Sequence, residues 1–237
     1  MSMPMYVAPE QLMKDRADFA RKGIARGRSV AVSRYADGIV FVAENRSTLH
    51  KISEVYDRIG FAAVGRYNEF EQLRVLGIRQ ADLRGYSYDR ADVTGIGLAN
   101  MYAQLLGSIF SSGGDKPYEV ELAVAEVGDS PGADVIYRLS YDGSVTDEPT
   151  FAIMGGSAES VSKAIIPDWR PDLPLATAVK LLVKGLTPPA DPAADTPAPV
   201  LAPEALEAAV LDRTRASHRK FRRLTAPVLA ELLGSSS

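Results

Sequence analysis

The chain has 237 residues, of which 46% are hydrophobic and 24% charged, which is typical of a globular protein and excludes a wholly disordered chain. Its 27 Lys and Arg against 30 Asp and Glu give a formal charge of −3, which argues against a nucleic-acid binder, since such proteins carry a basic excess. The lack of cysteine excludes disulfides, thiolate metal sites and a cysteine nucleophile.

The start of the chain and its hydropathy indicate where the protein works. The first residues, through Glu10, lack the cationic start and long apolar run of a secretory signal. No stretch reaches the roughly 20 apolar residues of a membrane-spanning helix. We therefore expect a cytoplasmic protein that does not contact a membrane. With only two histidines, His50 and His218, we expect neither a metal nor a cofactor site.

A first amphipathic helix is predicted over residues 9–26. Apolar residues recur there at helical spacing, and Pro9 with Glu10 suits a helix start. These apolar positions are Met13, Ala17, Ala20 and Ile24, flanked by Leu12 and Phe19. The leader ahead of the helix, residues 1–8, has no periodicity and is expected to be mobile in an isolated chain.

The rest of the chain alternates groups of strands with pairs of helices. Short β-type runs separated by turn signals such as Asp37-Gly38 predict strands at Ser29–Arg34, Ile39–Glu44, Lys51–Asp57, Gly60–Val64, Tyr118–Val127, Asp134–Tyr141, Ser144–Thr146, Phe151–Met154, Ala205–Arg213 and Phe221–Leu224. Helical periodicity predicts helices at Tyr67–Leu83, Val93–Phe110, Ser157–Ile166, Leu175–Leu186 and Val228–Leu233. This order indicates a single domain of layered α+β architecture, interrupted by a Pro- and Ala-rich exposed loop at residues 188–203.

Several glycines and charges have simple structural interpretations. Gly95-Ile96-Gly97 begins like a dinucleotide fingerprint but follows no strand, so we interpret its glycines as allowing close helix packing. Gly155-Gly156-Ser157 is interpreted as a strand-to-helix turn capped by Ser157. Glu119 and Glu121 are expected on the outer face of a half-buried strand, as surface charges.

The one basic cluster, Arg213 to Arg223, has two interpretations. It is either a solvated loop between strands or a site for an anionic partner. Neither it nor any other group of residues makes a catalytic constellation recognisable from chemistry alone.

Three segments carry a resemblance to a known family. Pro9–Ser29, Ala43–Ser47 and Leu49–Ile52 closely resemble the α subunit of the actinobacterial 20S proteasome, and Ala205–Arg213 and Arg219–Arg223 fit the same family. The resemblance covers the chain outside the Pro-rich loop. It implies the N-terminal-nucleophile hydrolase fold, a four-layer αββα sandwich with two antiparallel sheets between helix layers. It also implies homo-heptameric α rings that cap rings of β subunits.

The resemblance also implies that this chain does not cleave peptides. Catalysis in the superfamily needs a threonine at the extreme N-terminus of the first strand, whose free amine acts as base for its own hydroxyl. Aligning Glu44 with the carboxylate of the catalytic subunits puts Arg28 at the nucleophile position. Arg28 offers no hydroxyl, so Glu44 is a remnant and activity resides in threonine-protease β subunits.

Two functional regions are implied at the rim of the ring. The leader is implied to project toward the axial pore and close it, as a gate formed by Met1, Ser2, Met3, Pro4, Met5, Tyr6, Val7 and Ala8. Lys51 is implied to pair with the C-terminal carboxylate of a hexameric ring ATPase, in a pocket lined by Gly27 and Gly65.

The implied function is therefore a non-catalytic subunit that gates entry of unfolded, tagged proteins delivered by the ATPase. Two alternatives stay open. One is a self-processing hydrolase of the same fold, for which Ser29 is the hydroxyl residue near the right place. The other is a free-standing binding module that uses the basic segment Arg213 to Arg223.

Overall fold

The computed structural model describes residues 8–112, 115–188 and 201–234. Within these ranges the chain forms ten strands, which are β1 (Val30–Tyr35), β2 (Gly38–Glu44), β3 (Ile52–Tyr56), β4 (Ile59–Gly65), β5 (Val120–Glu126), β6 (Val135–Leu139), β7 (Val145–Asp147), β8 (Phe151–Met154), β9 (Leu206–Asp212) and β10 (Phe221–Leu224). The α-helices of the same ranges are α1 (Pro9–Ala25), α2 (Tyr67–Ser87), α3 (Gly95–Ser111), α4 (Ala158–Ile165), α5 (Leu175–Leu186) and α6 (Ala226–Leu233). No helix in the described ranges is long and apolar enough to cross a bilayer.

The strands make two antiparallel sheets that face each other. The first sheet has the order β10-β9-β2-β1-β8, and the second has the order β3-β4-β5-β6-β7. Buried side chains such as Phe41 and Ile136 fill the space between the sheets. Helices α4, α5 and α6 cover the outer face of the first sheet, and α2 with α3 covers the second. The predicted α+β sandwich, with two antiparallel sheets between helix layers, is confirmed.

The β1–β2 hairpin brings Arg28 and Glu44 close together. The predicted turn at Asp37-Gly38 joins the strands, and Gly38 lies at φ +150° with the carbonyl oxygen of Leu211 where a Cβ would stand. From this turn the register runs without a shift to the pair Val30 and Ala43. Continuing this register puts Ser29 opposite Glu44 at the open end of the hairpin, and Arg28, one residue earlier, reaches Glu44 with its side chain.

Helix α1 lies against the ends of β4 and β5 and is fixed there by three kinds of contact. Ala20 and Ile24 enter the core between the sheets. Gly23 is a glycine because its Cα packs on Glu119, whose carboxylate oxygen would stand 2.0 Å from a Cβ. Arg16 donates to the carbonyls of Ile109, Phe110 and Asp115 at 3.0, 3.0 and 2.7 Å. The carbonyls of Ile109 and Phe110 belong to the last turn of α3, where helical partners are missing, and Asp115 lies beyond the helix.

The rest of the apolar stripe of α1 is not covered. Leu12, Met13 and Phe19 are 43%, 39% and 46% exposed. A helix of this kind is stabilised by burying its stripe, so the exposed part of α1 is expected to be covered by another molecule.

The prediction that β5 is half-buried, with Glu119 and Glu121 as surface charges, is wrong. Both faces of β5 are covered: Leu122 packs under α2 and α3, and Ala123 packs between the sheets. Glu119 is 5% exposed and pairs with Lys116 and Arg66 at 3.2 and 3.4 Å. A carboxylate on a strand that is covered on both faces needs a cation or an amide as a partner, and Glu119 and Glu121 each have one.

Glu121 finds its partners across the two sheets. It accepts hydrogen bonds from the Gly155 amide and from Arg138, both at 3.1 Å. Burial raises the pKa of Glu121 above its ordinary value, against the lowering effect of these two donors.

Other differences from the predicted elements are local. Helix α2 runs to Ser87, four residues past the predicted end at Leu83. Ser157 occupies the first position before α4, but among the described residues no amide donates to its hydroxyl, so the predicted side-chain cap is wrong. Of the predicted exposed loop at 188–203, residues 189–200 lie outside the described ranges, whereas Leu201 is buried and corrects the prediction there.

The basic segment that follows β9 is bound to acidic groups of the same chain. Arg213 donates to Asp134 at 2.6 Å in a pair whose side chains are 14% and 1% exposed. Arg219 binds Glu54 at 2.6 Å on the surface, and the Lys220 amine donates to the carbonyls of Arg213 and Arg215. The segment is therefore neither a fully solvated loop nor a free cationic patch.

Replacing Arg213 is expected to destabilise the fold, because Asp134 would keep a buried carboxylate without its cation. The variant Arg213→Met should lose about 3 kcal/mol of unfolding free energy, measured by urea denaturation. The matched change Arg219→Met removes an exposed pair and should alter the urea midpoint little. Equal losses in the two variants would contradict this account of the segment.

Candidate functional site

An ion pair occupies the place where the resemblance puts the nucleophile. The Glu44 side chain, at the end of β2, is 9% exposed and contacts the guanidinium of Arg28 at the approach to β1. Arg46 lies 3.4 Å from the same carboxylate oxygen. The hydrogen bond to Glu44 raises the pKa of Arg28 above its ordinary value. The pair can neither attack a carbonyl nor generate a nucleophile, because a guanidinium stays protonated in water.

Ser29, the hydroxyl residue next to this pair, is 9% exposed. Its nitrogen is in the peptide bond to Arg28 and is not a free amine. The preceding helix α1 supplies Ala20 and Ile24 to the core. Cleavage before Ser29 would therefore separate core residues from the rest of the domain. The local fold opposes a free amine at this position.

Lys51 lies beside the ion pair, just before β3. Its amine donates to the backbone carbonyls of Arg28 and Glu44 at 2.9 and 3.2 Å. Burial lowers the pKa of Lys51 from its ordinary value, while the charges of Glu207 and Glu44 act in the opposite direction. An ammonium has three N–H donors, so two bonds within the described chain leave one donor for an external acceptor.

Gly27 and Gly65 lie together at the same end of the sandwich. A Cβ on Gly27 would stand 2.6 Å from Val64 and 3.3 Å from the Gly65 amide. Gly65 has φ +118°, and a Cβ there would meet the Glu119 carbonyl at 1.9 Å. The structure therefore brings Lys51, Gly27 and Gly65 into one region, connected through Arg28.

A buried carboxylate that sequence reasoning missed organises the segment before β3. Glu207, on β9, is 8% exposed. One of its oxygens accepts from the Asn45 amide and the Lys51 backbone at 2.7 and 2.9 Å. The other accepts from the Ile52 backbone and Arg223 at 3.1 and 2.9 Å. His50 lies 3.2 Å from this second oxygen.

Glu207 and Arg223 together bind backbone groups at the open edge of the second sheet. β3 is an edge strand, and Ile52 turns its N–H and C=O away from β4. Glu207 accepts from that N–H, and Arg223 donates to that C=O at 2.6 Å. The two side chains thus replace the strand that would otherwise pair there. We call Glu207, Arg223 and Asn45 the β3 clamp.

The remaining predicted motifs lie elsewhere. The Gly95-x-Gly97 pair begins α3 after Thr94, whose hydroxyl accepts from the Gly97 amide. Gly95 packs closely on Glu126 of β5, as interpreted from the sequence, whereas Gly97 is exposed and packs on no other element, so the interpretation is wrong for Gly97. His218 lines a cavity of about 620 Å³ at the opposite end of the sandwich, among side chains of both charges. No cluster of three or more His, Asp or Glu suited to a metal is formed within the described ranges.

The predicted gate lies mostly outside the described residues. Met1, Ser2, Met3, Pro4, Met5, Tyr6 and Val7 precede the described chain, and Ala8 is exposed at the start of α1. The Ala8 carbonyl accepts from the Leu12 amide at 3.1 Å, so Ala8 is where the leader joins the fixed helix.

Comparison with known proteins agrees with this geometry. Residues 24–193 match the family model described as Proteasome subunit. A relative from Nocardioides sp. named Proteasome subunit alpha is 63% identical over 235 residues, which is 99% of this chain and 90% of the relative. Relatives of the same name from Kineococcus radiotolerans and Streptomyces coelicolor are 62% and 58% identical over 100% of this chain and 100% and 92% of their own lengths. This chain therefore belongs to the proteasome subunit family, among its α subunits.

Proposed function

We propose that this chain is a non-catalytic α subunit of a bacterial 20S proteasome that forms the outer heptameric rings, gates substrate entry and docks a hexameric ring ATPase. The observation that carries the proposal is the Arg28–Glu44 pair in the place of the nucleophile. The partners are further α subunits, threonine-protease β subunits and unfolded, tagged proteins in the cytoplasm. Neither nucleic acid nor a membrane is a partner.

The chemistry of the site supports the non-catalytic role. A threonine protease of this fold needs a hydroxyl and a free α-amine on one residue. Arg28 has neither, and Ser29 would gain a free amine only by losing α1, whose Ala20 and Ile24 are buried. The cutting of peptides is therefore assigned to the β subunits.

The purified chain is expected to keep its full mass of 25.5 kDa and to leave a fluorogenic peptide intact. Intact-mass measurement and a hydrolysis assay check this, with the assembled core as positive control. A new N-terminus at Ser29 together with turnover would contradict the proposal and favour a self-processing hydrolase.

The exposed stripe of α1 supports ring formation and the gate. Leu12, Met13 and Phe19 need a cover, which the same helix of a neighbouring copy can supply by symmetry. Arg16 and the buried face hold α1 in place, so each leader departs from a defined point at Ala8. Several copies that converge on one axis can pack their Met and Tyr side chains together, which a single leader cannot do.

Deleting Ser2 to Ala8 is expected to raise peptide hydrolysis by the assembled core several-fold, because α1 begins at Pro9 and stays intact while the plug is lost. The assay uses the core with its β subunits and a fluorogenic peptide. A matched deletion at the other end of the chain, of Ser235 to Ser237, should leave the rate unchanged. Equal rates with and without the leader would count against a gate.

The arrangement around Lys51 supports docking of a C-terminal carboxylate. Two carbonyls hold the amine at a fixed position while one donor stays available. Gly27 and Gly65 let the backbone beside Lys51 pack closely, because a Cβ at either position would meet Val64 or the Glu119 carbonyl. A half-buried ammonium makes a stronger charge-assisted bond than a fully solvated one, because competing water is reduced.

Replacing Lys51 by Met is expected to weaken the response to an activator peptide at least 10-fold, because a bond to a charged group contributes about 1.5–3 kcal/mol. The measurement is the concentration of the ATPase's C-terminal peptide that half-maximally stimulates hydrolysis by the core. Amidating the peptide's C-terminus should have a similar effect on the unmodified core. The exposed lysine of the Lys163–Glu159 pair supplies the control, Lys163→Met, which should behave like the original chain. A full response from Lys51→Met would rule out docking at this residue.

A further inference from the structure

We infer that Glu207 is a positioning residue for activator docking, which fixes Lys51 on the edge of β3. This inference rests on the proposed docking at Lys51. It concerns a residue that makes no contact with the activator itself and that lies 156 positions away along the chain.

The first part of the argument is geometric. Lys51 lies directly before the edge strand β3. Within the described chain, no strand pairs with the outer side of β3 and could fix the position of Lys51. The Glu207 carboxylate takes the backbone amides of Lys51 and Ile52 at 2.9 and 3.1 Å. The direction of the Lys51 side chain is therefore set by Glu207, which is itself buried near the start of β9, opposite Ala43 of β2.

The clamp also holds both ends of the segment that contains Lys51. Asn45, at the exit of β2, donates to Glu207 at 2.7 Å and to the Leu49 carbonyl at 2.8 Å. Arg223 holds the Ile52 carbonyl from the other side. Loss of the carboxylate would remove the shared acceptor of all these groups, and buried donors without acceptors are costly.

The second part of the argument is electrostatic. The groups that face the Lys51 amine are Glu207 from β9, Glu44 from β2 and Arg28 from the approach to β1. Each carboxylate also pairs with a cation of its own, Glu44 with Arg28 and Glu207 with Arg223. Burial depresses the pKa of Lys51, and the Glu207 charge opposes that effect. Without this charge the amine would lose its proton at a lower pH, and an uncharged amine binds a carboxylate weakly.

The test uses the assembled core and a synthetic peptide with the C-terminal sequence of the ring ATPase, with Glu207→Gln as the main variant. We expect a 5- to 10-fold higher half-maximal peptide concentration and an unchanged maximal rate, because the gate and β subunits are untouched. The matched control is Glu54→Gln, a carboxylate in the middle of β3 whose partner Arg219 lies on the surface. An unchanged half-maximal concentration in Glu207→Gln would overturn the inference.

The pH dependence separates positioning from general loss of structure. Peptide stimulation should fall as the pH rises through the Lys51 pKa, and in Glu207→Gln this fall should begin at lower pH. The alkaline range is measured in both cores, each of which keeps His50, whose ring lies 3.2 Å from Glu207. Glu207→Asp keeps the charge but shortens the reach, so it should weaken the peptide response with the alkaline fall unmoved. If Glu207→Gln fails to assemble, the aspartate variant decides, and a normal response from it would overturn the inference.

A double-mutant cycle shows whether Glu207 acts through Lys51. In a Lys51→Met background, Glu207→Gln should have no further effect on the half-maximal concentration, and an undiminished effect would overturn the inference.

Hydrogen exchange of the backbone amides in residues 45–52 is a measurement that needs no activator. If Lys51→Met has no effect on its own, the docking proposal is wrong, whereas faster exchange in Glu207→Gln still supports positioning and unchanged exchange overturns it.

Discussion

A carboxylate held out of water needs a cation, and this requirement organises one end of the molecule. Glu44 meets it with Arg28, which ties the start of β1 to the end of β2. The backbone carbonyls of these same two residues then hold the Lys51 amine. A pair that fills the position of a protease nucleophile thus also forms the floor of the proposed docking site.

Much of the architecture follows from local patterns in the chain. The Asp37-Gly38 turn, the 3.6-residue period of α1 and the order of strands and helices are all readable because each depends on neighbours in sequence. β5 was misjudged for a physical reason. The alternation of apolar and polar residues predicts a strand with one solvent-exposed face. In the structure, alanines such as Ala123 on the second face pack against the opposite sheet, and Glu119 is buried beside cations. A sequence in which small residues stand between charged ones therefore does not reveal that the strand is covered on both faces.

The candidate site was only partly predictable. Arg28, Lys51, Gly27 and Gly65 were found through resemblance to a family, since nothing in their local sequence marks them. Glu207 was missed because three of its donors, Asn45, Lys51 and Ile52, lie 155 to 162 residues earlier in the chain, and no spacing rule connects positions so far apart. A lone glutamate in an apolar strand, in Leu206-Glu207-Ala208, was the available signal, because an isolated charge on a buried strand implies a partner.

Because side chains bind the backbone at the β3 edge, they affect how an unfolded polypeptide that passes through the proposed ring can interact with this subunit. An unfolded polypeptide readily adds itself to a bare sheet margin through its own backbone amides. At Ile52 those positions are already taken by Glu207 and Arg223. Under the proposed function, a translocating chain would therefore meet no free backbone groups at Ile52, and an activator tail would be bound there through its terminal charge.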